Sequence, residues 1–391
     1  MKAAAFLYPW DVIGDPDAAA RIADLGVRQV TLAAAYHSTR ALTPRHPRHR
    51  IVTAEHAAVL YPPDPGHWAG HELRPHRSGE WAPGDAFGEA AAALADAGLD
   101  VHSWVVLAHN SRLGADHPDT SVVNAYGDRY PWAPCIAQPA VRDHLVALAA
   151  EAAPRPGARG TELESCGWYG FAHLHAHDKV AGVGLGDAAQ YLMSLCFCPS
   201  CRKGYAADGI APDRLAGAVR QALEPVWRGT APPDAQLLDA ELAAPVLEFR
   251  TRTARTLQES VIAAVRAAAP AGFQVLLHAD PQAHHCGANA GVDPAHILSV
   301  ADGVTVPCAQ GPALLEPFAR HAPEGAVLAA NLTVVAGMGG SPTTLTADAT
   351  RAAAAGATEL RLYHAGLASD TDLTTVRASL TAVRAAMAGR A

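Results

Sequence analysis

No apolar run in this chain approaches the roughly 20 residues of a membrane span, so an ordinary transmembrane helix is excluded. Positive charge is not in excess either. Thirty Lys and Arg against 38 Asp and Glu leave a net charge of -8, which argues against nucleic acid as an electrostatic partner. The first strand-like run is not followed by a Gly-rich phosphate loop, which counts against a doubly wound dinucleotide-binding sheet. Internal repeats and low-complexity tails are missing. Cysteine is scarce, at seven residues; an odd number, several of them clustered, suits a reducing cytoplasm better than a secreted disulfide scaffold. The opening stretch Met1 to Asp11 has too short an apolar run for a signal peptide and reads as a first β-strand.

What the chain does have is alternation. Its 391 residues, half of them hydrophobic, are enough for one large domain. Strand-like runs fall at 3–8, 27–34, 101–107, 160–165, 273–278, 303–306, 327–331 and 358–363. Helical periodicity follows at 17–25, 85–97, 138–152, 238–268, 346–355 and 370–387, with Gly26, Gly98 and Gly356 as stops. A Pro/His/Arg-rich stretch from about 40 to 80 reads as a long loop. Eight strands, each followed by helical sequence, predict a (β/α)8 TIM barrel over 1–391, with a Cys-rich insertion at about 166–237.

In such a barrel the chemistry collects at the C-terminal strand ends. Those ends carry Trp10 and Asp11, Tyr36 and His37, His109 and Asn110, Glu164, His278 and Asp280, Gln310, Asn331, and Tyr363 and His364. Aromatics mixed with carboxylates and amides suit a sugar, which offers apolar faces fringed by hydroxyls. On the fourth strand, Thr161-Glu162-Leu163-Glu164, alternation sends both acids to one face and Leu163 toward the helices. A carboxylate in a barrel interior needs a partner, and Arg361, between Leu360 and Leu362 on the eighth strand, is placed to meet Glu162. Glu164, nearer the mouth, is the freer acid.

Cys196, Cys198 and Cys201 lie within six positions, too close to pair as disulfides without strain but able to converge on one tetrahedral ion. Pro199 and Gly204 supply the turn, and the fourth ligand is Cys135 or Cys166. The bland alternative is a run of small buried hydrophobes. Histidines, twenty in all, gather at His173, His175 and His177 and at His284-His285, beside Cys286. They can hold a second metal, bind hydroxyls or simply be solvated. Lys179 can bind an anionic group of a substrate or be solvated in its loop.

A Cys in Tyr130-Pro-Trp-Ala-Pro-Cys135, a Glu ending strand four and a Cys-x-Cys-x-x-Cys knuckle after it together resemble glycoside hydrolase family 42, the zinc-containing β-galactosidases. The likeness covers about 100–270, where Arg202, Gly204, Tyr205 and Trp227 also echo the family loosely. It implies a structural zinc on Cys135, Cys196, Cys198 and Cys201, and Glu164 as general acid/base. Two positions depart from the family. Leu163 precedes Glu164 where an Asn is usual, and strand seven ends Ala329-Ala330-Asn331-Leu332-Thr333, without the nucleophilic Glu.

A retaining pair of carboxyls about 5 Å apart therefore does not carry over. Asp280 is the substitute, as nucleophile or as a base activating water at the wider inverting spacing of about 6.5–9.5 Å, and Asp11 is the second choice. Asp280 can equally be a turn initiator before Pro281. The sequence thus predicts a cytoplasmic enzyme cleaving a small glycoside. Glu164 is the proton donor against a wall of Trp168, Tyr169 and Phe171, and Asp280 is the second carboxylate. Trp10, Asp11, Tyr36, His37, His109, Asn110, His278, Asn331 and Tyr363 bind substrate. The alternatives are a non-catalytic carbohydrate-binding barrel and a metal-dependent isomerase or lyase. The expected partner is a small carbohydrate, with no nucleic acid and no membrane; a rim knuckle offering a subunit contact keeps a homo-oligomer open.

Overall fold

The computed structural model describes residues 1–171, 178–230 and 238–388. Eight strands form its centre: β1 Lys2–Leu7, β2 Gln29–Tyr36, β3 Asp100–Val106, β4 Ala158–Glu164, β5 Gln274–Asp280, β6 Gly303–Pro307, β7 Val327–Thr333 and β8 Glu359–Tyr363. Each pairs in parallel with the next, and β1 also pairs with β8, so the sheet closes into a barrel without free edges. A helix follows every strand: α1 Ala18–Asp24, α2 Ala86–Asp96, α3 Pro139–Ala152, α4 Ala240–Ala268, α5 Pro294–Val300, α6 Glu316–Ala319, α7 Leu345–Ala354 and α8 Asp370–Ala388. The predicted (β/α)8 TIM barrel is the fold observed.

Strand bodies are apolar on the outer face because helices cover them. Val30, Leu32, Val101, Leu163, Val275, Leu277, Val304 and Leu362 are all buried in that shell. The inner face is different. Phe6, Ala33 and Trp104 form one interior cluster, and Leu276, Val327 and Ala329 a second. Where a bulky side chain enters, a neighbouring strand makes room: a Cβ on Gly160 would stand 2.6 Å from the His102 ring.

Two features escaped the alternation pattern. The β2–β3 register shifts between Ala33 and Ala35, a bulge that turns Tyr36 inward beside Tyr8. The proline-rich stretch after β2 is not wholly loop: Thr39–Leu42 and Ile51–Ala54 form an antiparallel hairpin, and Ala58–Val59 pairs back onto β2. Pro44 and Pro47 sit in the turn of that hairpin, where a missing N–H costs no ladder bond. Between β4 and α4 the insertion carries helices Asp187–Met193, Pro199–Ala207 and Pro212–Trp227. Among the described residues, no helix is long and apolar enough to cross a membrane.

Candidate functional site

The barrel interior is organised around β4. Glu162 is fully buried and Glu164 only 3% exposed, both on the inner face as alternation requires. Glu162 is compensated on every side. Arg361 Nε donates to its Oε1 at 2.6 Å, Thr31 Oγ1 to the same oxygen at 2.8 Å, and Thr305 Oγ1 to Oε2 at 2.7 Å. Burial alone would raise its pKa, but the Arg361 charge and the donated hydrogen bonds win and hold it well below the usual carboxylate range. Glu162 is a structural anion.

One layer toward the mouth, Glu164 has far less support. Its Oε2 accepts from Trp104 Nε1 at 2.9 Å and stands 3.8 Å from His278 Nδ1. Burial outweighs both and, with Glu162 adding like charge, raises the carboxyl above its ordinary value. The other nitrogen of His278, Nε2, lies 3.5 Å from Glu162 Oε2. The imidazole therefore bridges an anchored anion and a protonatable acid.

The wall around Glu164 is aromatic, though not the wall expected. Phe6 and Trp104 meet edge to face at 4.8 Å, and Tyr363 closes on Phe6 at 5.2 Å. Tyr8 donates or accepts at 3.0 Å with the Tyr36 hydroxyl and at 3.1 Å with His364 Nδ1. Tyr169 faces the site through His109, whose ring it meets at 4.1 Å. Trp168 turns away: its Nε1 donates to the Arg250 carbonyl, and its face takes the Arg250 guanidinium. Phe171 lies against Tyr130 at 5.7 Å. Of the expected wall only Tyr169 serves, because Trp168 is engaged by Arg250 and Phe171 by Tyr130.

The other predicted residues divide. His278 and Tyr363 reach Glu164 or its ring wall, while His37 stacks between Tyr36 at 4.1 Å and His109 at 4.8 Å. Trp10 is buried with one face on Tyr8 at 4.7 Å, so that face is spent within the protein. Asn110 Oδ1 caps the helix Ser111–Asp116 by accepting from Leu113 N–H at 2.9 Å. Asn331, opposite Arg361 in register, has a buried Oδ1 without a partner among the described residues. Gln310 is exposed.

The two further carboxylates are held differently. Asp280 Oδ1 accepts from Gln282 N–H at 2.8 Å, the turn role that the Asp-Pro pair suggested, and Oδ2 faces His285 Nδ1 at 3.7 Å. Asp11 Oδ2 accepts from Tyr8 N–H at 2.9 Å and its Oδ1 is buried without a partner among the described residues, so burial pushes the carboxyl up to about 7. Gly366 permits this: a Cβ there would meet Asp11 Oδ2 at 1.8 Å.

Trp104 and Tyr8 reach the mouth although neither is among the strand-end residues that the sequence offers. Trp104 shares the inner face with His102 and Val106, a pattern of two that could have found it. Tyr8 directly follows β1, two positions before Trp10. Ser165 and His364, each just past a strand end, adopt left-handed φ values of 56° and 58°. Such backbone is costly for non-glycine residues and tends to persist where a site needs it. His364 is pushed down to about 3 by burial, so it stays neutral as a partner for Tyr8. His173, His175 and His177 lie outside the described residues.

Beyond β4 the four cysteines converge. Cys135, Cys196, Cys198 and Cys201 are buried, with their sulfurs all within 4.8 Å of one another. Cys135 Sγ is 3.6 Å from Cys198 Sγ and 3.5 Å from Cys201 Sγ, far longer than a disulfide and close to the roughly 3.8 Å separating thiolates around one tetrahedral ion. Backbone N–H groups of Val123 and Cys198 point at Cys196 Sγ at 3.4 Å each, as they would toward a thiolate. This buried cluster can hold a metal. Cys166 is not part of it and lies buried elsewhere.

No protein-family model and no curated protein matches the chain. Solved structures do match in fold. The PgaB (BpsB) glycoside hydrolase domain from Bordetella bronchiseptica has a TM-score of 0.58 at 15% identity, covering 96% of this chain and 97% of that one. An α-L-fucosidase, isoenzyme 2 from Paenibacillus thiaminolyticus, gives 0.56 at 13% over 99% and 50%. A β-galactosidase from the psychrophilic Marinomonas ef1 gives 0.55 at 12% over 98% and 59%. This chain thus spans about half of the fucosidase and three fifths of the galactosidase. These neighbours are TIM-barrel glycoside hydrolases, and at such identities the likeness is one of fold.

Proposed function

We propose that this chain is a glycoside hydrolase-like enzyme acting on a small glycoside, with Glu164 as the proton donor. The observation that supports it most is a buried carboxyl, raised in pKa and ringed by aromatic side chains, at the C-terminal end of a barrel strand. The structural neighbours, glycoside hydrolases by name, support the same reading. Glu164 donates its proton to the departing glycosidic oxygen while Trp104 Nε1 fixes the carboxyl's orientation. As charge develops on Glu164, His278 beside it and the tyrosine hydroxyls of Tyr8, Tyr36 and Tyr363 stabilise it. Asp280 is the second carboxylate: its Oδ1 is held by the turn, and Oδ2 is left to activate water or attack carbon. Asp11, tied to Tyr8 N–H with its carboxyl pushed up to about 7, is the second choice for that role. Trp10, His37, His109, Asn110 and Asn331 contribute to the substrate's surroundings. The metal proposed for the four-cysteine cluster is zinc, because four thiolates in a tetrahedral arrangement suit it. It would brace the insertion as part of one barrel domain. Seven unpaired thiols suit a reducing, cytoplasmic setting.

The test compares leaving groups. Glu164→Gln should lose about 10²-fold or more in kcat/KM on an alkyl glycoside, whose oxygen must be protonated, and much less on a nitrophenyl glycoside. Equal losses on both would remove Glu164 as the acid. A second reading, a sugar-binding barrel without turnover, is favoured by one feature: near its C-terminal end β7 carries Asn331 and no carboxylate. It predicts sugar affinity that survives Asp280→Asn and no hydrolysis of either glycoside.

A further inference from the structure

The two acids of β4 are joined by a side chain of β5. His278 is 2% exposed and stands between them, with Nε2 3.5 Å from Glu162 Oε2 and Nδ1 3.8 Å from Glu164 Oε2. Its faces are covered by rings: Phe6 meets the imidazole edge to face at 5.6 Å, and Trp104 lies parallel to it at 6.4 Å. Nε2 has no hydrogen-bond partner of ordinary geometry among the described residues. Where the ring carries its proton is therefore decided by the charge facing each nitrogen.

The surroundings of the two acids differ in what they supply. Around Glu162 stand Arg361, Thr31 and Thr305, and its charge also reaches His102, which burial pushes down to about 3 and so keeps neutral. Beside Glu164 stands Trp104, and its charge reaches the phenols of Tyr8, Tyr36, Tyr169 and Tyr363, which burial keeps protonated. Arg361 Nε and Thr31 Oγ1 occupy Oε1 of Glu162, so its Oε2 faces Nε2 with only the Thr305 hydroxyl beside it. An ionised carboxylate oxygen only accepts, so the ring nitrogen opposite it carries the proton. A neutral imidazole has one N–H, and Nδ1 is then a bare lone pair turned toward Glu164. That lone pair repels an ionised Glu164 and withholds the donor that would stabilise it.

We propose that Glu162 is a positioning residue: it fixes His278 in the Nε2–H tautomer and so keeps Nδ1 from donating to Glu164. The proposal rests on the reading of Glu164 as proton donor. Once Glu164 has passed its proton to the leaving oxygen, Nδ1 can bind one from solvent. The imidazolium then stands beside the new carboxylate and hands that proton on to it, so each turnover carries one proton from solvent to the leaving group.

Isotope-edited nitrogen NMR of the histidine rings at neutral pH reads the tautomer without any substrate, with His278 assigned by its absence in His278→Phe. In the unsubstituted protein Nε2 should be the protonated, pyrrole-type nitrogen and Nδ1 the pyridine-type one. Glu162→Gln tests the cause. Arg361 and Thr31 hold the amide oxygen at the Oε1 position, which turns the amide NH2 toward Nε2 as a donor. The tautomer should invert, with the proton on Nδ1, and Glu164 should titrate lower than in the unsubstituted protein. If Glu162 acted only through its charge, that titration would fall while the tautomer stayed as it was, which would overturn the proposal. A bare Nε2 or a doubly protonated ring in the unsubstituted protein would overturn it as well, and that measurement still decides should Glu162→Gln fail to fold. The leaving-group comparison of Glu164→Gln succeeds or fails separately, so loss of the glycosidase reading is told apart from loss of this one.

Discussion

At Glu164 the balance of burial against two weak supports decides the chemistry. A carboxyl whose pKa is raised on folding keeps a proton that the unfolded chain releases, so it costs stability above the ordinary carboxylate range and nothing below it. Glu164→Gln should therefore raise the urea midpoint at pH 7 and leave it unchanged below about pH 4. An unchanged midpoint at both pH values would mean that the acid is ionised in the fold. Asp11, pushed up to about 7, follows the same sign. Asp11→Asn should be neutral below about pH 4, gain as pH rises, and reach its full gain above about 7, as followed by urea denaturation across that range. Alternation alone made Glu162, Glu164 and Arg361 legible, since a strand's period of two is insensitive to tertiary detail. Asn110 was legible as a strand-end residue but not as a helix cap, because that choice depends on where Leu113 N–H lies.

Elements set what single residues cannot. Glu162 on β4 and Arg361 on β8 tie opposite walls of the barrel through one ion pair at 2.6 Å. Glu162 is depressed in the fold, so its stabilisation is full above the ordinary carboxylate range and is lost as pH falls toward its lowered value. Removing one partner strands the other: Arg361→Met should cost about 3–5 kcal/mol at pH 7, while Glu162→Leu with Arg361→Met should recover most of that. Chemical denaturation of the two variants checks this, and a double variant as unstable as the single one would contradict it. Eight strand-like runs and most helices could be read from apolar periodicity. The β2 bulge could not, because Ala33, Ala34 and Ala35 carry no pattern from which a slip could be seen. Nor could the hairpin after β2, where Pro44 and Pro47 lie between the short runs Thr39–Leu42 and Ile51–Ala54.

For the whole molecule, the barrel and the thiol cluster are separable supports. The cluster joins Cys135, ahead of α3, to the insertion that follows β4, so an ion there staples two long connections. Elemental analysis should find one metal per chain, and Cys198→Ser should abolish its retention and lower Tm by several degrees, whereas Glu164→Gln should leave the metal in place. Metal retained by Cys198→Ser would contradict the assignment. Cysteine spacing made three ligands legible. The fourth, Cys135 rather than Cys166, was decided by how the chain folds back over itself. Proton donation at the mouth depends on the protonation state of one acid, Glu164, among aromatic rings. Isotope-edited NMR of glutamate carboxyl carbons, titrated in the unsubstituted protein and in Glu164→Gln, measures that state directly. A resonance that vanishes in Glu164→Gln and titrates with a midpoint above the ordinary glutamate range is the predicted result; one that titrates within or below that range would contradict it.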